Sequence, residues 1–255
     1  MATKPRQPDR DFAASGDANE LADVLNLRYG HLPAEEIIAV AIDLFDGAGG
    51  IAATSSFGAD SAALLHLIAE AEPGLPVTFL DTGQHFGETL QYRDQLAEDL
   101  GLTNIVIVKP LDDALTADDP DGILHQSDTD RCCAIRKVEP MARAVAPYRA
   151  WFTGRKRGQA STRAEMPVFE AVGPRIRVNP LARWTTEDQA DYMRRHDLRQ
   201  NPLVAFGYLS IGCFPCTSPV KPGEDPRSGR WAGQAKTECG IHLPGLEAAL
   251  PSASG

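Results

Sequence analysis

At 255 residues, with 43% hydrophobic and 24% charged side chains, the chain has the make-up of a globular protein with a real core, in one large domain or two small ones. Its formal net charge of −10 repels a long polyanion, so nucleic acid is not an expected partner and an anion site must come from locally clustered Arg and Lys. No apolar run approaches the roughly 20 residues of a membrane helix, and MATKPRQPDRDFAASGDANE has no apolar core of a signal peptide, so a cytoplasmic protein with no membrane partner is expected.

Residues 1 to about 18 are rich in Pro, Asp, Arg and small side chains without periodicity, the composition of a disordered terminus. From Pro33, a good first helical residue, Ile37, Ile38, Ala41, Leu44 and Phe45 recur at helical spacing. The stretch IAATSSFGADSAALLHL, Ile51 to Leu67, then combines a β-branched and apolar run, a Ser/Gly turn and a helical pattern. In the turn Ser55, Ser56, Gly58, Asp60 and Ser61 place small side chains and backbone N–H groups at a helix start, where the dipole favours a phosphate or sulfate. The same residues suit an ordinary N-capped turn, and on local sequence the two readings stand level.

The strand and helix rhythm continues with Val77 to Leu80 as a strand, Glu88 to Leu100 as a helix closed by Gly101, and Ile105 to Val108 as a strand. A helix is expected from about Asp130 to Val145, a strand over Ala150 to Thr153, and a helix over Thr186 to His196 begun by Thr185 or Thr186. This order implies an α/β fold with a doubly wound, mostly parallel sheet, whose ligands sit beyond the carboxyl ends of the strands. The loops after Thr54, Leu80, Val108 and Thr153 are therefore expected to share one mouth. From Asn201 the chain is rich in Pro and Gly, and no internal repeat is visible. Three segments result: a disordered terminus over 1–18, an α/β domain over 19–218, and a mobile, irregular tail over 219–255.

The five cysteines do not look like a secreted disulfide framework; an odd number in a reducing compartment points to metal binding or thiol chemistry. Cys132 and Cys133 are adjacent, and Cys213 and Cys216 form C-x-x-C. Four thiolates from two segments suit zinc or an iron–sulfur cluster. Adjacent helical side chains diverge by about 100°, which a cubane tolerates better than one small ion. Buried apolar cysteines beside a redox dithiol are the other reading. Cys239, in AKTECGIH, has Lys236 and His242 as neighbours that favour the thiolate, so it reads as a nucleophile or else as a spare surface thiol. The acidic chain also concentrates cations at the expected mouth: Arg155, Lys156, Arg157 and Arg163 after the AWFT strand; Arg131, Arg136 and Lys137 beside the cysteine pair; and Lys221, Arg227, Arg230 and Lys236 in the tail.

Over Leu21 to Pro244 these motifs together resemble the assimilatory adenylyl-sulfate (APS) reductases, relatives of the phosphoadenylyl-sulfate (PAPS) reductases, in the adenine-nucleotide alpha-hydrolase-like fold. The resemblance rests on SSFGADSAALLHL, FLDTGQHFGET, DRCCAIRKVEP, WFTGRKRGQASTRA, VNPLARWTTEDQ, GCFPCT, GEDPRSGRW and KTECGIH. It implies that Cys132, Cys133, Cys213 and Cys216 ligate a [4Fe-4S] cluster and that Cys239 is the nucleophile. It places Ser55, Ser56, Gly58 and Ser61 on a phosphate loop, Leu80 and Thr82 beside the adenosine, and Lys137 between cluster and substrate. Arg163, Arg227, Arg230 and His242 fall around phosphate and sulfate. The wider family's SGGxDS turn is SFGADS here, with Phe57 at a Gly position, which argues against ATP hydrolysis; Arg155, Lys156 and Arg157 receive no individual role.

The implied reaction is reduction of adenylyl sulfate to sulfite and AMP through a cysteine S-sulfonate, in sulfate assimilation and cysteine biosynthesis, with thioredoxin or a similar dithiol as reductant. The alternatives are a PAPS or dual-specificity reductase, a non-catalytic zinc-stabilised nucleotide-binding module, and an ATP pyrophosphatase. Oligomeric state is not set by the sequence, and a homo-oligomer stays open.

Overall fold

The computed structural model describes residues 13, 16–45, 50–159, 163–233, 236, 240 and 241. Two helices, α1 (Ala18–Tyr29) and α2 (Ala34–Phe45), precede β1 (Ile51–Thr54), α3 (Ser61–Ala71), β2 (Val77–Leu80), α4 (Gly87–Asp99) and β3 (Ile105–Val108). Short helices α5 (Asp112–Asp118), α6 (Leu124–Ser127) and α7 (Thr129–Cys133) lead through a π turn, Ala134–Val138, into α8 (Glu139–Val145) and β4 (Ala150–Phe152). The chain closes with β5 (Phe169–Val172), β6 (Arg175–Val178), α9 (Thr186–Arg195) and 3₁₀ turns at Pro202–Phe206 and Phe214–Cys216.

The six strands lie in the order β3-β2-β1-β4-β6-β5, parallel except for β5, which pairs antiparallel with β6. Every strand expected from the sequence is present, and the order reverses about β1, so the loops after β1 and β4 meet at a switch point. Apolar residues of β1, β2 and β4 bury against α2, α3 and α4, with Ala53, Val77, Phe79 and Phe152 fully inside. Burial of such side chains supplies about 1.5–3 kcal/mol each.

Three elements depart from expectation. The chain is already packed at Ala13, which is fully buried and whose carbonyl accepts from Arg149, earlier than the boundary drawn near residue 18. Helix α1 follows, capped by Asp17, whose carboxylate accepts from Asn19 N at 2.8 Å, with Leu21, Leu25 and Tyr29 on its inner face. Asn26 then donates to Phe169 O at 2.6 Å and accepts from Phe169 N at 3.0 Å, occupying backbone groups on the edge strand β5 as a further strand would. The β5–β6 hairpin itself gave no sequence signal because β6, RIRV, is buried throughout although half its residues are arginines. The expected helix around the cysteine pair forms, but with the π turn interrupting it. Residues 219–233 make turns without helix or strand, apart from a Thr217–Arg230 bridge, and Trp231 is buried.

Candidate active site

The turn after β1 continues the sheet by one bond, Ser55 N to Thr78 O at 3.0 Å, and then folds on itself as Ser55 Oγ accepts from Phe57 N at 3.1 Å. Phe57 has φ +48°, the left-handed region that favours glycine. Its ring, fully buried and edge-on to Phe79 at 5.8 Å, fixes the turn from below, while its carbonyl accepts from Asn201 at 3.0 Å. Gly58 lies against Ile211, and Ser61 opens α3. Asp60, at the helix N-cap, makes no capping bond: its carboxylate accepts instead from Lys156 Nζ at 2.7 Å and Gln159 Nε2 at 3.3 Å. The simple capped turn required the opposite. Small residues on an uncapped helix start, with a buried lysine nearby, favour the anion reading.

The basic loop after β4 is knitted into the fold. Arg155 donates to Glu170 at 2.7 Å, and Arg177 makes two further bonds to the same carboxylate at 3.0 and 3.1 Å. Burial pulls the Arg177 guanidinium down to about 10 against the opposing pull of Glu170. Lys156 reaches Asp60 and also Gln189 at 3.3 Å, Arg157 donates to the carbonyl of Met166 at 2.9 Å, and the buried Arg163 donates to Gln159 at 2.7 Å. Gln159 thus ties Arg163 to Asp60 and so to the turn after β1.

Across the mouth, Cys132 and Cys133 on α7 meet Cys213 and Cys216 of the second 3₁₀ turn, and all four thiols line one pocket with Gln84 and Lys137. Phe214 N donates to Gln84 O at 2.7 Å and Thr217 Oγ1 to Cys213 O at 2.8 Å, which sets the turn, while Thr82 Oγ1 lies 3.3 Å from the Cys213 sulfur. Arg136 joins the loops after β2 and β3 to the cysteine helix, donating to Thr82 O at 2.7 Å and to Asp119 at 2.6 and 3.0 Å. Burial opposes the charge on Asp119, but bonds from Leu124 N and Arg136 hold its carboxyl below the usual range. Burial, reinforced by Cys133, pushes the Cys132 thiol up to about 11, and burial with Cys213 raises Cys216, which Lys137, Arg230 and Lys236 oppose. As placed, no three or more His, Cys, Asp or Glu among the described residues form a single-ion site. Four sulfurs converging from two segments beside cations match the donor set of an anionic thiolate-ligated cluster, which is larger than one ion.

Leu80, at the end of β2, is half-buried and Thr82 is buried, both at this mouth. The π turn carries Lys137 into the pocket with the sulfurs. Arg230 lies over the Trp231 ring, 4.5 Å from its centre, and its guanidinium fills the space that a Cβ at Gly212 would need. Arg227 sits one turn earlier, its carbonyl accepting from Arg230 N at 2.9 Å. Cys239 and His242 lie outside the described residues. Asp119, Glu170 and Arg177 were missed by sequence reasoning, because a buried charge reads as a surface residue until its partner is found.

Residues 50–219 match the phosphoadenosine phosphosulfate reductase domain family. An adenosine 5'-phosphosulfate reductase of Chelativorans sp. is 68% identical over 248 residues, covering 97% of this chain and 98% of that protein. Another, of Mesorhizobium japonicum, is 66% identical over 255 residues and the full length of both. Among solved structures, a phosphoadenylyl-sulfate reductase from Candida auris in complex with phosphate superposes with a TM-score of 0.66 at 28% identity, covering 79% of this chain and 97% of that one.

Proposed function

Because the chain belongs to the phosphoadenosine phosphosulfate reductase family, we propose that it reduces adenylyl sulfate to sulfite and AMP in sulfate assimilation, using Cys239 as nucleophile and an external dithiol as reductant. The observation that carries this is a four-cysteine pocket with Lys137 on the loops beyond the carboxyl ends of the strands, together with an uncapped helix start after β1 suited to phosphate. The relatives named as adenosine 5'-phosphosulfate reductases support the substrate.

The Cys239 thiolate attacks the sulfate sulfur, the S–O bond to phosphate breaks, and AMP leaves with the electron pair on its phosphate oxygen. Lys137, Arg163, Arg227, Arg230 and His242 stabilise the charge that develops on the phosphate and sulfate oxygens, while Ser55, Ser56, Gly58 and Ser61 seat phosphate and Leu80 and Thr82 flank the adenosine. A dithiol such as thioredoxin then attacks the Cys239 sulfur and releases sulfite with its electron pair. Its second thiol resolves the mixed disulfide and restores the Cys239 thiolate, so the reductant loses two electrons. The first step needs water kept from the site and the second needs the S-sulfonate open to the reductant.

Cys132, Cys133, Cys213 and Cys216 would hold a [4Fe-4S] cluster, whose contribution when bound is charge and rigidity, since the thiol cycle already delivers both electrons. Arg155, Lys156 and Arg157 each have partners within the chain, which favours adenylyl sulfate over its 3′-phosphorylated form. The reaction and the absence of a membrane-length apolar helix among the described residues suit a cytoplasmic enzyme.

The test is anaerobic incubation of the holoprotein with labelled adenylyl sulfate, alone and in competition with its 3′-phosphorylated form, followed by intact-mass and peptide analysis. A labelled adduct on Cys239, little reduced by the competitor, is expected. An adduct elsewhere, or none, overturns the assignment.

A further inference from the structure

Two residues beyond Cys239, the chain is fastened to the sheet by a side chain and by its backbone. Ile241 packs against the apolar group of Met141, Ala142, Val145, Trp151 and Val172, and its carbonyl accepts from Arg177 Nη1 at 3.4 Å. Arg177 is a rigid donor, because two bonds to Glu170 fix its guanidinium and the Trp151 ring lies 5.8 Å beneath it. Between them, Gly240 has φ +86°, and a Cβ there would come within 3.0 Å of Val138 Cγ2, so the chain turns against the π turn at a point only glycine fits. On the other side of the cysteine, Lys236 pairs with Asp130, at the start of the cysteine helix, and sits 5.8 Å above Trp231. The described residues on either side of the nucleophile are thus tied, Lys236 to the cysteine helix and Ile241 to the sheet.

We infer that Ile241 and Arg177 are positioning residues for Cys239: the apolar seat and the guanidinium together hold the chain just beyond the nucleophile against the sheet. Neither residue reacts. The fastening is one side chain in an apolar niche and one long hydrogen bond, strong enough to orient and weak enough to release when a reductant must reach the S-sulfonate. This inference rests on Cys239 being the nucleophile.

The experiment compares Ile241→Ala, Ile241→Val and Arg177→Gln with the parent holoprotein under anaerobic conditions. It measures the rate of S-sulfonate formation from adenylyl sulfate, the Kd for AMP, and the rate at which iodoacetamide alkylates Cys239, read by peptide mass. Ile241→Ala is expected to slow adduct formation about tenfold, as a small misplacement of a reacting group does, with the Kd for AMP unchanged and Cys239 alkylated faster. Ile241→Val, which refills most of the seat, should restore the parent rate. Arg177→Gln should act in the same direction, and the double variant should fall short of the product of the two effects, because both release one segment. If Arg177→Gln misfolds by stranding Glu170, the Ile241 pair decides alone. Parent rates of both adduct formation and alkylation in Ile241→Ala would overturn the inference. Failure of the underlying reading looks different: the parent itself forms no adduct on Cys239, and the alkylation rates still report whether Ile241 fastens the segment.

Discussion

The turn after β1 and the cysteine pocket both lie on loops beyond the carboxyl ends of the strands and are built in opposite ways. The turn is a continuous stretch, Ser55 to Ser61, shaped by a bond within itself and by the buried ring of Phe57. The pocket takes sulfurs from α7 and from a 3₁₀ turn far downstream, and is aligned by Arg136 reaching to Asp119 and Thr82. A contiguous site fails through its own residues, whereas an assembled one fails when any contributing segment shifts.

The largest expected effect spares both regions. Cys239→Ser should retain iron and bind AMP as the parent does, yet lose S-sulfonate formation by at least about a thousandfold, since the alcohol stays protonated at neutral pH. An adduct in that variant, found by intact mass, would move the nucleophile elsewhere.

Next comes the pocket. Cys216→Ser should lose iron, and with it several kcal/mol of stability, because ligand energy is folding energy when a site joins distant segments. Iron analysis with denaturant unfolding checks this; parent stoichiometry in the variant refutes the four-ligand assignment.

Breaking the turn should leave the metal untouched. Phe57→Ala removes a fully buried ring and should cost about 3–5 kcal/mol by urea denaturation. Its iron content should match the parent under native conditions, and a loss of iron would show that the two regions are not independent. A milder change, Asp60→Asn, leaves the buried Lys156 with Gln189 but no carboxylate. About 1 kcal/mol is expected, since Asp60 itself is half exposed, again with iron unchanged.

The smallest effect acts on α3 from its far side, where His66 Nδ1 is 2.8 Å from the Tyr192 hydroxyl and its ring lies 4.7 Å from that of His196. Burial, then the neighbouring His196, hold the His66 imidazole below its ordinary 6.5, with Glu70 opposing. The unfolded chain then binds a proton more readily than the folded one, so stability is intact above pH 6.5 and declines as pH falls through the folded-state value. Unfolding midpoints at pH 7.5 and 5.5 should differ less in His66→Gln than in the parent; an equal difference removes His66 from the explanation.

Much of this architecture was legible in the residues. Apolar runs and helical spacing marked β1 to β4, α3, α4 and the helix around the cysteine pair, but not the short α5 and α6, because a buried parallel strand and a long amphipathic helix each carry a pattern local to themselves. The cysteine spacing likewise marked the four thiols that line the pocket.

What the sequence could not determine was partnership at a distance. That Arg155, Lys156 and Arg157 serve the fold is decided by Glu170, Asp60 and Met166, brought beside them only by the closed sheet. The hairpin of β5 and β6 escaped notice for the same reason, since a buried arginine reads as a surface residue until its carboxylate is found. Local pattern is written along the chain, but the pairing of buried charges is a property of chain segments meeting in space, and tertiary structure alone decides it.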